Sequence, residues 1–349
     1  MDCFLSKATG LLSSARLRIS IIPRHHFSPS VILPLSPRHQ TSITQQAKMS
    51  SSSGKLLSGG AKMPPMIYGT AWKKDHTADL VYEAIKAGFR AIDTAAMKRH
   101  YDEALAGEGI RRAIQDGLVK REELYIQTKF SPEDEAYADT TLYPSIADQV
   151  RASVASSLKN LSTSSSDPTY LDSLVLHSPY PNHMDTLAAW TTLQEFVPET
   201  IRALGISNTT LGVLHTLSQA PGVTCPPSIV QNRFRRAERA WDAAIRRWCT
   251  ECDMAYQGFW TLTGNRADWP TAPFVRELAD AAGVELETAW YALIQAVGVV
   301  VLNGTTNPAH MREDLEGTKK IAEWRETDEG KAVWDPCFAA FRELVGVVG

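Results

Sequence analysis

From Met66 onward, short apolar runs alternate with longer amphipathic segments. The runs span 66–72, 91–95, 124–130, 171–178, 203–208, 228–234, 254–260 and 299–305. Each has the length and near-continuous apolar character of a strand buried on both faces. The segments between them carry helical spacing: Leu80, Val81, Ala84 and Ile85 recur on one face, as do Ile146, Val150, Val154, Leu158 and Leu161. Strand–helix alternation predicts a parallel sheet, because parallel strands need crossover connections. Eight such units within about 250 residues predict closure into an α/β fold of the (β/α)₈ TIM-barrel type, with its active site at the C-terminal mouth. The competing architecture, an open doubly wound sheet, announces itself by G-x-G-x-x-G after the first strand. The chain has Gly69-Thr-Ala-Trp72 there, and Gly107-Glu-Gly109 opens no strand-to-helix turn.

The length of 349 residues exceeds the roughly 250 of such a barrel. This predicts a barrel over 63–349, ending in a helix near 331–345, and a disordered or targeting tail over 1–62. No acidic residue occurs between Cys3 and Lys74, and Arg16, Arg18, Arg24 and Arg38 lie among Ser and apolar residues. That composition suits a mitochondrial transit peptide over 1–48 as well as it suits an inert tail; without a transit peptide the expected location is cytoplasmic. A net charge of −3 gives no electrostatic footprint for nucleic acid or a membrane surface. The longest apolar stretch, 289–302, contains Gln295 and is shorter than the ~20 residues that cross a bilayer. Five irregularly spaced cysteines predict no disulfide framework. Cys249-x-x-Cys252 lies in a helical pattern without a second ligand pair, so no metal site is expected. Nothing marks an oligomer interface, and a monomer is the default.

Three successive predicted strands end on ionisable residues: Asp93, Lys129 and His177. The spacings of 36 and 48 residues each fit one strand–helix unit, which gathers the three side chains at the barrel mouth. Charges there are expensive to bury unless they pair, so a purely structural ion pair is one reading. Tyr101, just past the second strand, favours a chemical one. A phenol with its ordinary pKa near ~10 is a poor acid at neutral pH. An adjacent ammonium lowers that value, a role for Lys129 held charged by Asp93, while His177 hydrogen-bonds the oxygen of a bound carbonyl. Such a set delivers a proton to oxygen, and hydride must then come from a cofactor.

With these residues in place the chain resembles the aldo-keto reductases, specifically fungal members of that superfamily. The likeness covers about residues 64–318. It is carried by Gly88-Phe-Arg-Ala-Ile-Asp-Thr-Ala-Ala96, Gln127-Thr-Lys-Phe130, Leu176-His-Ser-Pro179, Gly205-Ile-Ser-Asn208, Val230-Gln-Asn232 and Thr305-Thr-Asn-Pro308, in family order. The resemblance implies a catalytic tetrad of Asp93, Tyr101, Lys129 and His177. It also implies a nicotinamide carboxamide held by Ser207, Asn208 and Gln231, and a nicotinamide ring stacked on Tyr256. Trp72, His177 and Trp260 would bound the substrate pocket, with the loop after Phe130, Trp269 and the C-terminal tail also shaping it. The aspartate-to-tyrosine interval is eight residues here, where many family members have five. The family's lysine at the end of strand eight is missing: Asn303-Gly-Thr-Thr306 stands there, with Thr305 and Arg312 left to meet a cofactor phosphate. Family habit implies NADP; the missing lysine leaves NAD open.

The expected activity is reduction of an aldehyde or ketone to an alcohol by hydride transfer from NAD(P)H, with Tyr101 as proton donor. The alternatives are a non-catalytic NADP-binding barrel acting as sensor or partner subunit, and a lyase using Lys129 as a Schiff base. The identity of the small-molecule carbonyl is not readable from sequence.

Overall fold

In the computed structural model, residues 54–57, 59–132, 139, 141–164, 166 and 168–347 are described. The expectations for 1–48, and most of the proposed tail, lie outside them. The first described element is an antiparallel hairpin of β1 (Lys55–Leu56) and β2 (Lys62–Met63). Leu57, Ala61 and Met63 are buried in a cluster with Ile67, Ala91, Tyr125, Ala203, Ile229, Ala255 and Val300, one from the start of most barrel strands. The hairpin therefore plugs the N-terminal end of the barrel, and a boundary at residue 63 cuts through it. Two-residue strands in a Ser/Gly-rich stretch give no readable alternation.

All eight expected strands form: β3 (Met66–Gly69), β4 (Ala91–Asp93), β5 (Tyr125–Phe130), β6 (Ser173–Leu176), β7 (Leu204–Ser207), β8 (Ile229–Arg233), β9 (Ala255–Phe259) and β10 (Val299–Asn303). They close as a parallel barrel in the order β10-β3-β4-β5-β6-β7-β8-β9. Helices follow as α1 (Thr77–Ala87), α2 (Glu103–Gln115), α3 (Ile146–Asn160), α4 (His183–Leu193), α5 (Leu211–Gln219), α6 (Arg239–Glu251), α7 (Pro273–Ala282), α8 (Leu286–Ala296), α9 (Pro308–Trp324) and α10 (Asp328–Leu344). Local chemistry sets several boundaries. Asp102 accepts from Leu105 N at 2.9 Å to cap α2, and Ser145, Asn182, Thr210, Asn307 and Thr327 cap α3, α4, α5, α9 and α10 in the same way. Gly107 and Gly109 are packing residues: a Cβ on either would overlap backbone oxygens of Asn160 and Ala78 respectively.

Side chains alternate across each strand, and the partition can be followed along β5. Ile126 and Phe130 belong to the large apolar layer between barrel and helices. Tyr125, Gln127 and Lys129 face the interior, where Tyr125 joins the bottom plug and Gln127 bridges to Gln257 at 2.8 Å. The interior thus changes from apolar at the bottom to polar above. Near the bottom, Asp172 accepts from Arg121 and Arg202 at 2.9 and 3.0 Å, and both guanidinium groups cover the Tyr170 ring.

Candidate active site at the barrel mouth

The register Asp93↔Gln127 between β4 and β5, and Phe130↔Leu176 between β5 and β6, brings the strand-end residues to one level. Lys129 Nζ lies 2.6 Å from Asp93 Oδ2 and donates to the Thr94 carbonyl at 2.8 Å. Its side chain is fully buried. The other Asp93 oxygen accepts from Gln127 Nε2 at 2.7 Å and from Gln231 Nε2 at 3.2 Å. Both carboxylate oxygens are thus hydrogen-bonded, which is what a buried carboxylate requires. Lys129 Nζ sits 4.9 Å from the centroid of the Tyr101 ring, and that ring meets His177 edge-to-face at 5.9 Å. The eight-residue interval after Asp93 therefore still delivers the tyrosine, through a turn in which Tyr101 N donates to Met97 O at 3.0 Å.

Electrostatics separate the roles. Burial pulls the Lys129 amine down, but Asp93 and Tyr101 beside it outweigh burial, and the net shift is upward. A charged amine locked to a carboxylate is the opposite of the uncharged nucleophile a Schiff base needs, so the lyase reading loses its residue. Burial raises the Tyr101 phenol, and the opposing pull of Lys129 does not cancel it. This corrects the expectation of a lowered phenol pKa: desolvation disfavours the phenolate more strongly than one ammonium restores it. Burial, with Lys129 and His100 adding to it, pushes His177 down to about 3. The ring is neutral, and Ser131 Oγ holds its Nδ1 at 2.6 Å. With that hydroxyl donating, the proton of the ring resides on Nε2, the nitrogen left to donate to a ligand oxygen.

Asp93, Tyr101 and His177 line a cavity of about 1200 Å³ together with Trp72, Ser207, Asn208, Gln231, Trp260 and Thr305. That exceeds the roughly 300–1,000 Å³ of common small-ligand sites and leaves room for an extended cofactor beside a substrate. Ser207 Oγ donates to Gln231 O at 2.7 Å, and Asn208 Nδ2 donates to His177 O at 2.9 Å. The Gln231 amide nitrogen is shared between Asp93 and Gln257, leaving its Oε1 to meet an amide donor. A hydroxyl and two carboxamides clustered beside the tetrad form a donor set that fits a nicotinamide carboxamide. Trp72, Asn208 and Trp260 all hold φ between 52° and 63°, a left-handed conformation that is an outlier for bulky residues and concentrates at functional sites. Trp72 and Trp260 remain 62% and 45% exposed at the rim.

Three expected residues are placed elsewhere. Tyr256 is buried on the outer face of β9, where its hydroxyl donates to Asp242 Oδ2 at 3.2 Å. Gln257 takes the interior position, and alternation then puts Phe259, not Tyr256, into the cavity lining. Asp242 is available to Tyr256 because the start of α6 turns left-handed over Ala240–Asp242. Arg312 is exposed on α9 and does not line the cavity; His310, Glu313 and Asp314 occupy the cavity side of that helix. Trp269 donates from Nε1 to Leu262 O at 3.1 Å and packs against the core behind that lining residue without lining the cavity itself.

Several residues at the site carry no part in the sequence expectation. Lys73 donates to the Gly304 carbonyl, so an ammonium does reach the end of β10, supplied by the loop after β3. Arg233 donates to Asn208 Oδ1 at 2.9 Å and lies 5.0 Å from the Trp260 ring centroid. Its signal was present, since it stands two residues after Gln231 and shares its face. Ser131 had no signal, because only the register of β5 against β6 sets it beside His177.

A model of the aldo/keto reductase family matches residues 58–322. An NADH-dependent D-xylose reductase of Candida parapsilosis is 30% identical over 297 residues, covering 74% of this chain and 85% of that one. An NAD(P)H-dependent D-xylose reductase of Pachysolen tannophilus is 29% identical over 189 residues, covering 47% of this chain and 54% of the relative, about half its length. Among solved structures, a Bombyx mori aldo-keto reductase in complex with NADP superposes with a TM-score of 0.63 at 22% identity, covering 83% of this chain and 91% of that chain.

Proposed function

The chain belongs to the aldo/keto reductase family, and from that membership we propose that it is an NAD(P)H-dependent reductase converting an aldehyde or ketone to its alcohol, with Tyr101 as proton donor. The observation that carries the proposal is the Asp93–Lys129 pair at 2.6 Å beneath the Tyr101 ring, with neutral His177 against its edge. Bound reduced nicotinamide supplies the hydride that no side chain can. Ser207, Asn208 and the Gln231 Oε1 are the groups that would hold its carboxamide. His177 donates to the carbonyl oxygen from Nε2 and polarises it. Tyr101 gives its proton to that oxygen as negative charge develops, and Lys129, kept charged by Asp93, stabilises the phenolate left behind. Trp72 and Trp260 flank the entrance and favour a substrate with apolar surface. Two relatives are named D-xylose reductases, which supports including polar carbonyls among the candidate substrates.

The test is loss of reduced-nicotinamide absorbance when the full chain is mixed with a panel of aliphatic, aromatic and sugar aldehydes and ketones. Turnover of at least one carbonyl is expected. A second expectation concerns pH. His177 is shifted down to about 3 and Tyr101 up, so the reductive kcat should be flat between about pH 5 and 9, a range above the lowered histidine value and below the ordinary tyrosine value near ~10. A fall in rate centred near the ordinary histidine value would mean that His177 titrates as an exposed imidazole, contrary to its assigned role. No oxidation of either cofactor across the panel would leave the barrel a binder without this chemistry.

A further inference from the structure

The charged groups of the cavity lining fall into two sets. Its lining cations, among the described residues, are Lys73, whose ammonium meets the Gly304 carbonyl just after β10, and Arg233 at the end of β8. The far end runs to the start of α8 and the first turns of α9, where Glu285, Glu287, Glu313 and Asp314 line it together with His310. Lys73 is committed to the Gly304 carbonyl, and burial lowers its pKa. The nearest other cation on α9, Arg312, lies off the lining.

A dinucleotide with its nicotinamide beside Tyr101 has its diphosphate in the middle of such a cavity and its adenosine at the far end. Lys73 and Arg233 suit the diphosphate. The far end suits a ribose whose hydroxyls donate to carboxylates, the arrangement by which acidic residues recognise an unphosphorylated adenosine ribose. A 2′-phosphate would instead bring about −1.5 to −2 charges against three glutamates. The start of α9 offers it little: Pro308 has no amide proton, and Ala309 N is already donated to Asn307 Oδ1 at 2.9 Å.

We infer that this chain selects NADH over NADPH, through the carboxylates of Glu287 and Glu313 at the adenosine end of the cavity. The inference rests on the proposed nicotinamide cofactor and deepens it. The family does not decide the matter, since relatives named for NADH and for NADPH both occur.

Binding separates the two readings. Quenching of tryptophan fluorescence in the full chain, titrated with NADH and with NADPH at low salt, should give a Kd for NADH about tenfold or more below that for NADPH. In ~1 M salt, where screening acts over about 3 Å, the ratio should narrow. A Glu287→Gln, Glu313→Gln double variant should bind NADPH about tenfold more tightly and NADH more weakly, because the ribose hydroxyls lose their carboxylate acceptors, so that the preference for NADH disappears. NADPH binding as tightly as NADH to the parent chain overturns the selectivity and leaves the proposed reductase standing. A parent preference for NADH that the double variant retains unchanged overturns the assignment to these carboxylates. Failure of both cofactors to bind overturns this inference and the proposed function together.

Discussion

Tyr101→Phe is expected to lower reductive kcat by about 10²- to 10⁴-fold, the range associated with loss of a positioned general acid, with cofactor Kd changed less than about threefold. The phenyl ring keeps the edge-to-face contact with His177 and its place over Lys129, so packing and the cavity shape persist. Only the transferable proton is removed. Burial holds the Tyr101 phenol above its ordinary pKa, so the native residue is protonated across the working range and ready to donate. Stopped-flow fluorescence for cofactor binding and steady-state rates on one aldehyde separate the two quantities. A variant turning over at the parental rate would remove Tyr101 from the chemistry.

Lys129→Met is expected to damage both stability and rate. The amine is fully buried and is the only formal counter-charge within hydrogen-bonding distance of Asp93 among the described residues. Its removal leaves a carboxylate uncompensated in the barrel interior, a change worth about 3–5 kcal/mol, readable as a lower midpoint in urea unfolding. An Asp93→Asn, Lys129→Met double variant should recover much of that loss, because no unpaired charge remains. The rate effect has its own signature. Loss of the ammonium removes the one nearby group that lowers the phenol pKa. The alkaline limb of alcohol oxidation, which needs the phenolate, should therefore move to higher pH. A merely structural lysine would alter stability without moving that limb.

What could be read from the chain followed from burial. All eight strands announce themselves as apolar runs because both faces of a barrel strand are covered. Asp93, Lys129 and His177 stand out because each ends such a run with a group that cannot be left unpaired there. The same double coverage hides which face a residue occupies. Resemblance puts Tyr256 in the cavity, whereas Gln257, a polar residue inside an apolar run, is the better guide. It joins Gln127 and Gln231 in the polar interior, which turns Tyr256 outward. Arg312 failed for the equivalent helical reason. Pro308 opens α9, and residues 310, 313 and 314 face the cavity, leaving 312 off that face. The hairpin under the barrel and the Ser131 contact depend on tertiary register and have no local pattern.

Central to the account is hydride transfer from a bound nicotinamide to a carbonyl carbon held at Tyr101 and His177. The most direct measurement is to reduce an aldehyde turned over by the full chain using cofactor carrying deuterium at both positions of the transferable ring carbon, and to locate the label in the alcohol. Deuterium on the carbinol carbon, in proportion to cofactor oxidised and lost in Tyr101→Phe, is the expected result. An alcohol without label, or label transfer undiminished in Tyr101→Phe, would contradict the account.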